Sequence, residues 1–186
     1  MNKSAKYLTA FLIILALIAW GIFLYFVGPE KIVEFLGYQN SYIAAFIISL
    51  IGGTSVFTTA SFYATVATLA AGGLNIFILA AIAGIGAALG DSFFFFLGFK
   101  GRKISSPSFK KRLDRFSKWL RRLPNWTIPF FAFIYAGFIP LPNDVMMISL
   151  ALGKYKFRKI IPFVLAGDIV LMLIISFLAK EGINLI

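Results

Sequence analysis

The sequence predicts an all-α integral membrane protein: an inverted-topology repeat of two re-entrant helical hairpins, each followed by a transmembrane helix, plus an N-terminal transmembrane helix. Three observations lead to this fold class. Hydrophobic residues make up 60% of the 186 residues and charged residues only 13%, which is too apolar for a soluble domain of this length. Two long apolar segments are interrupted by polar residues and prolines. The basic residues, finally, are clustered in blocks beside the apolar segments.

The composition also excludes several kinds of chemistry. The chain has no cysteine and no histidine, so thiolate chemistry, Cys or His metal sites and His-dependent catalytic triads are ruled out. We therefore expect neither a cofactor nor a metal ion. The length allows one compact unit, so residues 1–186 are expected to form a single membrane domain.

The first element is the apolar run YLTAFLIILALIAWGIFLYFV at residues 7–27, which has the roughly 20 residues that a membrane span needs. Lys3 and Lys6 precede it, as in a signal peptide. The run is longer than the apolar core of a signal peptide, however, and lacks a small-x-small cleavage site. We expect an uncleaved transmembrane helix, followed by a short interfacial connection at residues 29–41.

Residues 42–71 form the first interrupted segment, with GGTS at 52–55 and TTAS at 58–61. A continuous helix of that length would measure about 45 Å against a hydrocarbon core of about 30 Å. It must be strongly tilted or broken. The second interrupted segment, residues 128–152, contains FIPLPNDVMM at 138–147, whose prolines disfavour a continuous helix.

Residues 75–99 and 160–179 are predicted to be transmembrane helices. In the first of them, Gly84, Gly86 and Gly90 have the small-residue spacing of closely packed membrane helices.

Residues 100–126, between these helices, are predicted to be a basic cytoplasmic loop containing an amphipathic helix. Pro107 suits the first helical position, and apolar residues recur at a period of 3.6. These are Phe109, Leu113, Phe116, Leu120 and Leu123. The helix is expected either to dock on the protein's own cytoplasmic face or to bind anionic lipid headgroups. The basic residues available for the second role are Lys110, Lys111, Arg115, Lys118 and Arg122.

The basic residues decide whether the interrupted segments cross the membrane. Ten of the 18 lie between Lys100 and Arg122, and four more lie within 154–159. Such blocks can bind nucleic acid, but beside membrane spans they mark the cytoplasmic side, so no nucleic-acid partner is expected. If residues 128–152 crossed, the two blocks would lie on opposite sides. Two re-entrant hairpins and a cytoplasmic N-terminus instead place 16 of the 18 basic residues on the cytoplasmic side. We therefore expect a multi-pass protein of a prokaryotic plasma membrane.

An internal repeat supports the two hairpins. Shifting the chain by 81 residues superposes identical residues at several positions, among them Gly72 on Gly153 and Gly86 on Gly167. Each unit is a hairpin followed by a span, and the two hairpins enter from opposite faces. Broken helices in such repeats converge near the bilayer midplane, where irregular backbone is tolerated only if it is covered by protein or lines a cavity.

The segment FIPLPNDVMMISLALGKYKFRKIIPFVLAGDIV, together with the hairpin pattern over roughly residues 30–182, resembles the DedA or VTT-domain superfamily, also called SNARE-associated Golgi proteins. The resemblance implies two opposed re-entrant hairpins and movement of phospholipids or polyprenyl-phosphate lipids between leaflets. The sequence resembles a divergent member of this superfamily. VFTTASFYA in the first hairpin lacks the family's acidic residue and proline, and Gly137 and Asn143 stand where many members carry arginine.

Three acidic residues lie within apolar segments, namely Asp91, Asp144 and Asp168. An aspartate facing lipid costs about 2.5 to 3.5 kcal/mol, so each must face a cavity, find a partner or be protonated. Asp144 is either a helix N-cap together with Asn143 or a binder of a cation, a proton or a headgroup amine. Asp91 either contributes to transport or simply meets the interface or pairs with Arg102.

Nine residues are the candidate substrate-binding and transport residues: Asp144, Asn143, Pro140, Pro142, Asp168, Thr58, Thr59, Ser61 and Asp91. The three hydroxyl residues are alternatively caps of the returning helix of the first hairpin.

The function expected from these features is that of a lipid translocase, a scramblase or flippase, and not that of an enzyme. Its partners would be membrane lipids, including anionic headgroups at the cytoplasmic face, with homo-oligomerisation left open. The alternative is an ion- or proton-coupled transporter of a small solute, in which Asp144 and Asp168 titrate. Less favoured are an assembly factor without transport activity and an intramembrane aspartyl protease. ALGD and LAGD resemble the motif of that protease class but lack the first glycine of Gly-x-Gly-Asp.

Overall fold

The computed structural model describes Leu15 and residues 29–52, 56–104, 107–120, 122–124 and 126–183. Side chains at 56–58, 102–104, 107–110, 112–113 and 183 lie outside that description. The transmembrane helix predicted at residues 7–27 also lies outside the described residues, except for Leu15, which is helical and exposed.

The described residues form helices and no strand. These helices are α1 (Pro29–Leu36), α2 (Tyr38–Gly52), α3 (Val56–Ala71), α4 (Ile76–Ile104), α5 (Pro107–Leu120), α6 (Thr127–Phe138), α7 (Asp144–Leu152) and α8 (Phe157–Ile183). The predicted all-α class is therefore confirmed for this part of the chain.

Helices α4 and α8 are long and apolar enough to cross a membrane. Each contains a 26-residue stretch, with a mean hydropathy of 1.9 in α4 and 2.5 in α8. Such a stretch is about 39 Å long, which exceeds a hydrocarbon core of about 30 Å. Both helices extend beyond the predicted spans, and α4 continues through several basic residues to Ile104, since Lys and Arg are good helix formers.

A third candidate span consists of α1 and α2 together, which are bent by 101° at Gly37. Gly37 has a φ of 77°, in the left-handed region that favours glycine. Within α1, Val33 is buried while the acidic side chains of Glu30 and Glu34 are exposed. The predicted connection at residues 29–41 therefore contains an amphipathic helix and a sharp bend.

The antiparallel pair formed by α4 and α8 is the centre of the fold. The backbone of Ile169 lies against Gly84, where an added Cβ would come within 2.9 Å of the Ile169 Cα. Near the other end, the ring centroids of Phe95 and Phe157 are 5.2 Å apart. Glycine at position 84 thus permits close packing of α4 and α8. Close van der Waals packing is what holds helices together in a membrane, where no hydrophobic effect drives their association.

The four shorter helices α2, α3, α6 and α7 pack on this pair in a regular pattern. Helices α2 and α7 contact α4, whereas α6 and α3 contact α8. A Cβ on Gly86 would lie 2.7 Å from the Phe46 carbonyl of α2, and one on Gly167 would lie 2.8 Å from the Phe133 carbonyl of α6. Each long helix therefore contacts at least one short helix through a glycine.

Two apolar cores lie toward opposite ends of the α4–α8 pair. The first includes Val33, Phe62, Leu69, Leu79 and Met172, and the second includes Phe95, Leu120, Met147, Leu150 and Ile160. Large apolar side chains also remain exposed on the long helices, including Phe77, Phe93 and Phe96 of α4 and Phe177 and Leu178 of α8. Exposed apolar surface on hydrophobic helices of spanning length is what a lipid environment accommodates.

Helix α5 begins at Pro107, at the position the sequence predicts. Its apolar side packs on the second core, with Leu120 buried and Phe116 half-buried, while Lys111, Arg115 and Lys118 are exposed. The helix therefore docks on the protein through its apolar side and presents basic residues outward.

Candidate functional site: a buried polar cluster

A buried polar cluster joins α4, α7 and α8. The amide Nδ2 of Asn143 donates one hydrogen bond to Asp91 Oδ2 at 2.8 Å and another to Asp168 Oδ1 at 2.9 Å. We call these three residues the Asp–Asn–Asp cluster. Asp91 and Asp168 lie near the middle of α4 and α8. The cluster is therefore at the most apolar depth of the membrane if those two helices cross the bilayer.

Local sequence explains how the three side chains converge. Asp91 and Asp168 each follow a glycine, Gly90 or Gly167, that allows a neighbouring helix to approach. Asn143 lies between α6 and α7, at the N-cap position of α7. Because the chain is not helical just before Asn143, its side chain can enter the space between α4 and α8.

The cluster is almost completely removed from solvent. The exposed fraction is 2% for Asp91, 9% for Asn143 and 2% for Asp168. Within the described part of the chain, no Lys or Arg forms an ion pair with either carboxylate. Buried carboxylates are normally paired or hydrogen-bonded, and here a single neutral amide supplies the hydrogen bonds of both.

Two acceptor atoms of the cluster remain unsatisfied. Among the described residues, neither Asn143 Oδ1 nor Asp168 Oδ2 has a hydrogen-bond partner, although both atoms are buried. Most buried polar side-chain atoms in native proteins have such a partner, so these two oxygens require an explanation. The cluster has more acceptors than donors and lacks a positive charge.

Two tyrosines and a third aspartate surround the cluster. Tyr63 of α3 lies within electrostatic range of Asp91, Asp168 and Tyr135, and Asp144 lies within range of Asp91. The Tyr135 hydroxyl donates to the carbonyl of Pro142 at 3.5 Å. Neither tyrosine was among the residues predicted from the sequence. The sequence feature that could have indicated them is a tyrosine within an apolar helix, because a buried tyrosine hydroxyl usually has a polar partner.

Several candidate residues have roles that differ from the expected ones. Asn143 is at an N-cap position but makes no side-chain cap hydrogen bond, since its amide is directed to the two carboxylates. Asp144 is half-buried and its Oδ1 accepts from the Val145 amide at 2.7 Å. The interpretation that Asp91 meets the interface is wrong, because its side chain is buried and bound to Asn143.

The remaining candidates of the second interrupted segment are the two prolines, of which Pro140 is exposed and Pro142 half-buried. In the first segment, Thr59 Oγ1 donates to the carbonyl of Gly52 at 3.2 Å, so it links the end of α2 to α3. Because α3 begins at Val56, Thr59 and Ser61 lie inside the helix and not at its cap. The side chain of Thr58 lies outside the described residues.

An apolar cavity opens beside the cluster-bearing segment. Its volume is about 450 Å³, within the range of about 300 to 1,000 Å³ typical of ligand sites. It extends from Phe116 and Trp119 of α5 to Tyr135 of α6 and to Val145 and Met146 of α7.

A second cavity of about 320 Å³ is lined by basic residues. Lys154, Lys156, Lys159 and Tyr155 line it, together with Leu120, Leu123 and Ile128, which it shares with the apolar cavity. Burial raises the pKa of Tyr155 above its ordinary value, so the phenol stays neutral at physiological pH. The shared residues make the two cavities neighbours.

The predicted lipid-binding residues, which lie in α5 and just after it, are distinct from this basic cavity. Lys111, Arg115, Lys118 and Arg122 are exposed, and the side chain of Lys110 lies outside the described residues. The 154–159 block predicted only the side of the membrane on which it lies, and not that its lysines line a cavity beside α5. The close approach of α5 to that block, with Lys154 Nζ 3.7 Å from Asp114 Oδ1, could not be read from the sequence.

Comparisons of the chain with protein-family models, with curated proteins and with solved structures found no match. The fold and site therefore define the class on their own: a helical protein whose described residues include two, or up to three, apolar helices that could cross a membrane, with a buried acidic cluster between α4 and α8.

Proposed function

We propose that this chain is a membrane lipid translocase, either a scramblase or a flippase, that acts without covalent chemistry. The observation that carries the proposal is the apolar cavity beside α5, together with its lysine-lined neighbour. An acyl chain needs an apolar space, and a phosphate-bearing headgroup needs nearby positive charge. The two adjoining cavities offer both.

The position of the apolar cavity favours movement over static binding. Its lining continues from α5 to Tyr135, whose hydroxyl contacts the carbonyl of Pro142, immediately before Asn143. A lipid whose tail lies in the cavity thus brings its headgroup toward the polar residues of the break between α6 and α7. Polar side chains at membrane depth commonly mark the route of a substrate.

We further propose that the fold is the inverted repeat with two re-entrant hairpins, α2–α3 and α6–α7. In support, α4 and α8 begin 81 residues apart, the same shift that superposes Gly86 on Gly167. The helix contacts of the two units also correspond. The first helix of each hairpin, α2 or α6, packs on the long helix of its own unit, α4 or α8. The second helix, α3 or α7, packs on the long helix of the other unit. A relation to the DedA superfamily is part of the same proposal.

The proposed orientation has a cytoplasmic N-terminus in a prokaryotic plasma membrane. It places α5 and the lysine-lined cavity on the cytoplasmic side, where anionic lipids attract basic residues. The basic side of α5 would then contact the headgroup layer while its apolar side remains docked on the protein.

Reconstitution into vesicles tests the proposal. Purified full-length protein should equilibrate fluorescent phospholipids or polyprenyl phosphates between leaflets faster than protein-free vesicles do. Replacing Lys154, Lys156 and Lys159 by Gln should slow anionic lipids more than zwitterionic ones, because the headgroup site loses its charge. A Lys31→Gln/Lys180→Gln variant is the matched control, since both lysines lie outside the cavity lining. Equilibration no faster than in empty vesicles, for every lipid of the panel, would refute the function.

The buried carboxylate pair favours a second candidate, an ion- or proton-coupled transporter of a small solute. In that case the pair would be Asp91 and Asp168, not Asp144 and Asp168. Solute uptake driven by an ion gradient, without lipid movement, would support this candidate. An aspartyl protease is disfavoured, since the amide nitrogen of Asn143 lies between the carboxylates that would have to share a catalytic water.

A further inference from the structure

The Asp–Asn–Asp cluster is short of positive charge. The two carboxylates supply four acceptor oxygens and the Asn143 amide a fifth, whereas the only donors of the cluster are the two N–H groups of Asn143 Nδ2. Both are already used, one for each carboxylate. In the described part of the chain, Asn143 Oδ1 and Asp168 Oδ2 therefore remain buried without a partner.

The surrounding groups do not supply the missing charge. Tyr63 of α3 and Tyr135 of α6 bring no positive charge, and Asp144 of α7 places a further carboxyl group near Asp91. Helix α2, which approaches α4 at Gly90, contains no charged residue. Two like charges in a medium of low dielectric constant repel strongly, so both carboxylates cannot be ionised there without a compensating cation.

We propose that the Asp–Asn–Asp cluster binds one positive charge, as a proton or as a sodium ion. Asn143 Oδ1 and Asp168 Oδ2 are the unsatisfied oxygens that it would satisfy, and Asp91 provides the second negative charge. Amide and carboxylate oxygens are the hard ligands that a hard cation prefers. A proton would satisfy the same need by converting one carboxylate oxygen into a donor.

The bound charge would control the position of the break between α6 and α7. Asn143 is the residue through which this break is attached to α4 and α8, and its amide can bridge both carboxylates only if they do not repel each other. With the charge present the break is held in place, and without it Asn143 is released. This has a consequence that rests on the proposed function. If the protein moves lipids, cation binding would be coupled to that movement.

The test is thermal unfolding of the purified full-length protein in detergent. Melting is compared in NaCl and in choline chloride at equal ionic strength, and from pH 5 to pH 9. A sodium site should raise Tm by roughly 5 to 10 °C at a sodium concentration one hundred times Kd. A proton site should instead give no sodium effect and a Tm that falls as pH rises, because the bound proton is lost.

Asp168→Asn removes one negative charge with little change in shape, and it should abolish whichever dependence the wild type shows. Asn143→Asp adds a negative charge and should enlarge that dependence, so it serves as the second variant if Asp168→Asn does not fold. Asp114→Asn, at an exposed carboxylate of α5, is the control. A wild type that responds to neither sodium nor pH, or a response equal in Asp168→Asn, would overturn the proposal.

This test involves no lipid transport, so its failure is distinguishable from failure of the proposed function. Melting can reveal the cation site even if vesicle equilibration is negative. Transport can likewise be present while the melting temperature is independent of sodium and pH.

Discussion

The single amide group of Asn143 donates hydrogen bonds to two buried carboxylates. Its side chain reaches Asp91, 52 residues away in sequence, and Asp168, 25 residues away. The amide also explains why asparagine, and not serine or threonine, is suited to this position. A hydroxyl has one donor, whereas the amide has the two that this position uses.

Asn143→Ala is expected to destabilise the protein by about 2 to 3 kcal/mol, because a buried hydrogen bond to a charged group contributes about 1.5 to 3 kcal/mol. Tm should fall by roughly 5 to 10 °C in thermal unfolding. Asn40→Ala is the matched control, since the Asn40 amide donates to the Leu36 carbonyl at an exposed site. Equal Tm values for the two variants would contradict the structural role of Asn143.

At the scale of single residues, the sequence correctly marked Asp91, Asp168 and Asn143 as unusual, because polar side chains in apolar segments are costly. It did not reveal that they are partners. It gave Asp144 two alternative roles, since a carboxylate at a helix start suggests both capping and binding. The structure gives that carboxylate a local backbone partner at Val145 and assigns the central contact to its neighbour.

Glycines are the structural basis of the helix packing at the scale of elements. At Gly167, an added Cβ would lie 2.8 Å from both the Ala136 Cβ and the Phe133 carbonyl, and 3.0 Å from the Gly137 amide nitrogen. Backbone atoms cannot move aside as a flexible side chain can, so α6 and α8 can approach this closely only with glycine at 167.

Gly167→Ala should therefore destabilise the protein by about 1 to 3 kcal/mol through overpacking. Gly182→Ala, in the same helix, is the matched control, because no neighbouring atom lies within 4 Å of a Cβ at that position. There, the better helix propensity of alanine should stabilise by up to about 1 kcal/mol. Chemical or thermal unfolding would show opposite signs, and shifts of the same sign and size would argue against the α6–α8 contact.

The amphipathic helix α5 shows how much of an element can be read from its own sequence. Its start at Pro107 and its apolar side followed from proline preference and a 3.6-residue period. The surface against which that side packs could not be predicted, because periodicity identifies the apolar face of a helix but not the surface that covers it. Leu120 and Phe116 pack on the second core, and this packing forms one wall of the apolar cavity.

At the scale of the whole molecule, the arrangement of charge is the strongest guide to orientation. The two basic blocks flank the second interrupted segment, and the structure brings them to neighbouring positions, with Lys154 next to α5. That arrangement is expected if both blocks lie on one side of a membrane.

Single cysteines test the proposed orientation, because the chain has none of its own. Lys118→Cys and Lys156→Cys should react with an impermeant maleimide only from the cytoplasmic side. Lys31→Cys and Lys180→Cys should react only from the opposite side. All four positions are exposed, so access to the reagent is not limited by packing. Labelling of positions 118 and 156 from different sides would eliminate the second re-entrant hairpin.

The sequence alone determined that this chain forms helices apolar enough to cross a membrane, approximately where α4 and α8 run, and where the second interrupted segment breaks. These properties follow from hydropathy, prolines and charge placement, which act locally along the chain. Only the tertiary structure decided that Asp91 and Asp168 share the amide of Asn143 and that the 154–159 lysines adjoin an apolar cavity. Such contacts join residues far apart in sequence, and they depend on which helix faces which.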